Sequence, residues 1–117
     1  MTKEEFEQQL RDNVERGALL LDEKMPGWFR KVSPPDLRLH DCRMCVLGQL
    51  TGFYDKGLRK LALDDGKSFQ HGFTIMFSSW PSDGSYDDWE QRSGAWDLLT
   101  QFWVEAVEKR FADVGEL

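Results

Sequence analysis

Trp89, Trp96 and Trp103 recur at intervals of seven residues, and Leu99, Ala106 and Val107 fall on the same side of a helix drawn through them. Seven residues make nearly two helical turns, so rings at that interval describe one long amphipathic helix whose stripe has to be hidden from water. Ser85 with Asp88 has the form of a capping box and opens this helix, which the periodicity carries to about residue 112. A coiled-coil seam would use the same interval, but the pattern is short and indole rings fit facing holes poorly, which favours a core face. The stripe therefore demands a partner inside the chain. A central helix from Cys42 to Phe53, with Cys45, Val46, Leu50 and Phe53 at helical spacing, is the expected one.

The remainder reads as shorter helical pieces joined by turns. Thr2 and Glu5 form a capping box, and Phe6, Leu10 and Val14 then define a helix over 3–16 that Gly17 interrupts, after which Ala18, Leu19, Leu20 and Leu21 either continue it or begin a short second helix before Pro26-Gly27 ends the segment. Trp28 and Phe29 are expected to anchor that turn to the core. Ser33-Pro34-Pro35-Asp36 cannot continue helix or sheet hydrogen bonding, so 33–40 should be a connector with Leu37 and Leu39 facing inward. Asp41 is the expected N-cap of the central helix. Gly48 and Gly52 within that helix are read as permitting close packing, Gly57 as a break, and Asp64-Asp65-Gly66 as a turn. Residues 73–80 alternate Phe73, Ile75 and Phe77 with Thr74, Met76 and Ser78, as a strand would, yet no second strand stands out to pair with it, so a loop or helical turn is expected there, with a short strand as the alternative. The expected fold is all-α: a compact bundle of four or five helices with a long Trp-rich C-terminal helix, one domain over 1–117, and room for one short β element around 73–80.

Charge is distributed unevenly. Residues 1–23 carry a net −4, residues 24–60 a net +5 and residues 61–117 a net −7, for −6 in all. A net negative chain is a poor general binder of nucleic acid, which requires cations to displace the counterions of phosphates. The basic middle either packs beside the acidic ends and is neutralised by surface pairs, or recognises a partner. No apolar run is long enough to span a bilayer, and the polar, acidic start is unlike a secretory signal, so a cytoplasmic location is expected.

One stretch has chemical potential: His40-Asp41-Cys42-Arg43-Met44-Cys45, with a second histidine at His71. Two sulfurs separated by two residues can reach one metal, so His40, Cys42, Cys45 and His71 are the candidate ligands of a zinc ion. Their overall spacing matches no zinc-finger pattern. A thiol beside Arg43 near a helix start could also be redox-active, although no strand leads into the motif as thioredoxin-like sites require. The plainer reading makes Cys45 a buried apolar residue and leaves Cys42 partly exposed. The acids Asp83, Asp87, Asp88 and Glu90 lack calcium-loop periodicity and suit the start of a helix instead.

Three segments, Gly17-Ala-Leu-Leu-Leu-Asp-Glu-Lys-Met-Pro-Gly-Trp28, Cys42-Arg-Met-Cys-Val-Leu-Gly-Gln-Leu-Thr-Gly52 and His71-Gly-Phe73, resemble small uncharacterised proteins of actinobacteria and their bacteriophages. The ending, Leu99-Thr-Gln-Phe-Trp103 followed by Lys109-Arg110, is similar to theirs. The resemblance spans roughly residues 17–110, is weakest over 64–85, and brings no activity with it. It implies a phage or host source, where a small acidic protein more often binds a partner than turns over a substrate. The expectation is a non-enzymatic binding or regulatory protein with a protein partner, no membrane and no catalytic residues. The alternative is a small zinc-binding or thiol-redox protein built on Cys42 and Cys45.

Overall fold

The computed structural model describes residues 1–76 and 80–115. Five α-helices follow one another: α1 (Lys3–Lys24), α2 (Val46–Thr51), α3 (Tyr54–Leu61), α4 (Asp65–Gln70) and α5 (Trp89–Asp113), with 3-10 turns at Trp28–Lys31 and Pro34–Asp36 between α1 and α2. No strand occurs among the described residues. The all-α reading with a long C-terminal helix therefore stands. Residues 73–76 have no strand pairing, and residues 77–79 of the segment that left room for a short β element lie outside the described residues.

The Thr2 hydroxyl accepts from Glu5 N and the Glu5 carboxylate turns back to Thr2 N, so α1 starts on the capping box. It does not stop at Gly17. The helix runs on to Lys24, burying Phe6, Leu10, Val14, Ala18 and Leu21 along one side, and Gly17 is needed for another reason. A Cβ at Gly17 would lie 1.9 Å from the His71 carbonyl oxygen, so the residue lets the α4 exit cross α1 at backbone distance.

α5 begins later than the Ser85 signature implies. Asp88 itself is the N-cap, its carboxylate accepting from Gln91 N at 2.8 Å, while Ser85 N donates to Asp83. The partner of α5 is α1 and not the segment from Cys42 to Phe53. Arg11 pairs with Glu105 and Asp22 with Arg110, so residue numbers rise together along the two helices and they run parallel. Parallel neighbours require a connection that returns the length of the helix. Everything between α1 and α5 supplies that return.

The expected central helix is correspondingly short. Asp41 caps a turn rather than a helix, accepting from Arg43 N and Met44 N, and α2 starts only after Cys45. Gly52, at φ 100°, ends α2 in the left-handed region, and the chain re-enters helix as α3, with Gly57 inside it. Gly57 faces Leu47, which joins α2 to α3. Asp64 likewise caps α4 through Lys67 N where a turn was expected.

Trp103 is fully buried in the hydrophobic cluster. Its Nε1 donates to the Gly72 carbonyl at 2.6 Å, Phe73 stacks on it at 5.3 Å, and Trp28 meets it edge-on at 5.7 Å. Trp28 and Phe29 are both buried, as are Leu37 and Leu39, so those residues anchor the return as the sequence implied. Trp96 is half-buried, but Trp89 is 81% exposed. A seven-residue repeat drifts by about 20° per heptad around a straight helix, and Trp89 stands on the outermost turn. The indole series is therefore not one buried face.

Candidate functional site

The His40–Cys45 stretch forms a tight turn ahead of α2. The Asp41 carboxyl is held below its ordinary range by the backbone N–H groups of Arg43 and Met44. Cys45 closes the turn through its N–H to the Asp41 carbonyl, and its Sγ accepts from Gly48 N at 3.3 Å, so a sulfur occupies the N-cap position. Gly48 has no room for a side chain, because a Cβ there would meet the Cys42 carbonyl at 2.5 Å. Burial raises the Cys45 thiol above its usual range and disfavours the thiolate. Cys42 is a free, exposed thiol.

His40, Cys42 and Cys45 line one small cleft of about 90 Å³, walled by Tyr54, Phe73 and Trp96. The His40 ring lies 5.9 Å from Trp96. His71 is not part of this cleft. Its Nδ1 is bonded to the Lys67 carbonyl at 2.7 Å, and its backbone fills the space above Gly17. Three of the four candidate ligands thus share a cleft and the fourth does not. Among the described residues, no three His, Cys, Asp or Glu side chains are grouped as a metal site would group them.

A larger groove of about 570 Å³ runs between α1 and α5. Its apolar lining includes Val14, Ala18, Leu19, Phe102 and Ala106, with Leu19 well exposed, and the Arg11–Glu105 and Asp22–Arg110 pairs bridge it. Asp22 also accepts from Trp28 Nε1. Its carboxyl is held below the ordinary value chiefly by Arg110 and then by that indole.

Both bridging pairs join α1 to α5 and neither uses a base from residues 24–60. The basic middle is exposed instead. α3 turns Tyr54, Gly57, Leu58 and Leu61 inward and leaves Lys56, Arg59 and Lys60 on its outer side, with no ion pair to any of the three among the described residues. Phe53, which precedes α3, is 41% exposed. The net charge of the middle segment pointed to this region. The 56/59/60 spacing was the finer signal that would have put three cations on one helix side.

No protein family, curated protein or solved structure matches this chain. Among the described residues, no helix is long and apolar enough to cross a membrane.

Proposed function

We propose that this is a non-enzymatic binding or regulatory protein that acts on a protein partner through its charged surface. With the resemblance noted above, the setting is the cytoplasm of an actinobacterial host, with a phage-encoded chain modulating a host protein. The observation that carries this reading is the basic outer side of α3, which has no ion pair among the described residues, in a chain of net charge −6. Charge kept apart from compensating charge steers association more than it stabilises a fold. Capture from an actinobacterial lysate, followed by reconstitution from two purified proteins, tests it. A saturable complex of defined stoichiometry is the expected result, and recovery of nothing but non-saturable background would overturn the reading.

The shared cleft of His40, Cys42 and Cys45 favours a second reading, a small zinc-binding or thiol-active protein. Metal analysis with a thiol titration separates the two. Bound zinc near one equivalent in the purified protein supports the second, whereas two free thiols with no bound metal support the first.

A further inference from the structure

We infer that the outer side of α3, with Lys56, Arg59, Lys60 and the exposed Phe53, is a docking surface for an acidic, partly apolar segment of a protein partner. The inference rests on the binding reading above and gives it a place and a chemistry.

Lys56 and Lys60 are four apart and Lys56 and Arg59 three apart, so the cations are neighbours on one exposed side. Like charges at such spacing weaken an isolated helix, and a helix of eight residues is too short to persist without tertiary packing. The inward residues hold α3 against α2, so the outer cations are not what keeps it folded. Asp55, also exposed and four residues before Arg59, makes no ion pair with it. Among the described residues no carboxylate pairs with the Arg59 guanidinium, which suits it to one from outside.

Phe53 adds the apolar element. It occupies the N-cap of α3, a position where Ser, Thr, Asp or Asn would satisfy a free backbone N–H, and it makes no side-chain cap bond. A large exposed ring at the head of three cations matches a segment that alternates carboxylates with an aliphatic or aromatic side chain. The adjoining turn adds one further cation, Arg43, beside the Asp41 carboxylate. Tyr54 N donates to the Cys42 carbonyl at 2.8 Å, which brings the exposed Arg43 turn beside the start of α3.

Charge decides between protein and nucleic acid. Three cations on one and a half turns would neutralise few phosphates, and Asp55, Asp64 and Asp65 in and just after α3 repel a continuous phosphate backbone. A short acidic segment has carboxylates only where it needs them and can avoid those acids.

Fluorescence anisotropy of the full chain tests this with a labelled Glu-rich peptide containing spaced Leu residues, against single-stranded DNA of equal charge. The peptide is expected to bind at low salt and to weaken as salt rises. Lys56→Glu/Arg59→Glu/Lys60→Glu should lower its affinity by about tenfold or more, and Phe53→Ser by about threefold. The matched control Lys24→Glu/Lys31→Glu/Lys109→Glu, with the same change in net charge, should stay within about twofold. Circular dichroism of each variant establishes that the fold is intact. Equal losses in the α3 and control variants, tighter binding of DNA than of peptide, or no peptide binding at low salt would each overturn the inference. A host-protein complex that survives reversal of the α3 charges would overturn it too while leaving the binding reading standing.

Discussion

Trp103 and Trp89 belong to one helix and one repeat, yet the first is fully buried and the second is 81% exposed. Trp103 loses little by burial because Gly72 satisfies its indole N–H, and its two ring neighbours fill the space around it. Trp103→Ala is expected to destabilise the protein by about 3–5 kcal/mol, since it leaves a large cavity and an unpaired carbonyl. Trp89→Ala should change stability by no more than about 0.5 kcal/mol. Urea unfolding of both variants checks the contrast, and comparable losses at the two positions would contradict the difference in burial. The cysteines divide in the same way. The sequence left two readings open for Cys42 and Cys45, a shared ligand role and the plainer one of a buried Cys45 beside an exposed Cys42; the Cys45 sulfur caps α2 from a buried position while Cys42 faces solvent, as the plainer reading has it.

Glycines in the two long helices do different work. Gly17 in α1 faces the His71 backbone, whereas a Cβ added at Gly94 in α5 would have nothing within 4 Å. Alanine has the better helix propensity by about 1 kcal/mol, so Gly94→Ala should stabilise the protein by about 0.5–1 kcal/mol. At Gly17 the same gain is outweighed, because a backbone carbonyl cannot step aside as a flexible side chain can. Gly17→Ala is expected to cost about 1–3 kcal/mol, measurable as a shift in denaturant midpoint without a change in slope. The pairing of α1 with α5 brings a pH dependence through Asp22. Its pKa is lowered from 3.8 by Arg110, so the stabilisation is present above that value and disappears as pH falls through the lower folded-state value. Because the Asp22 side chain is 40% exposed, the increment should stay under about 1 kcal/mol after solvent screening. Arg110→Gln should remove most of it, the Trp28 indole bond remaining, and stability curves of the two proteins should then converge in acid.

As a whole, the molecule is a parallel pair of long helices with a chain of short helices returning between them. Its Cα radius of gyration is 13.8 Å, and small-angle scattering of dilute protein is expected to fall within about 2 Å of that value. A head-to-tail association of acidic and basic faces would raise it well beyond that range and weaken with salt. Much of this architecture was legible beforehand. Capping chemistry at Thr2, the apolar interval through Phe6, Leu10 and Val14, and the long periodic run before residue 113 are local signals, set by the rise and pitch of the helix itself. The inward positions of Trp28, Leu37 and Leu39 were readable because strong apolar residues stood among prolines and polar residues. What could not be read was contact between distant segments. Choosing α1 over the Cys42–Phe53 segment as the partner of α5, deciding that α1 passes through Gly17, exposing Trp89, separating His71 from the other candidate ligands and leaving three cations of α3 without an ion pair among the described residues all depend on which surfaces meet. Periodicity within a segment specifies which side must be covered, whereas the covering surface is selected by packing across the whole chain, and that selection exists only once the chain is folded.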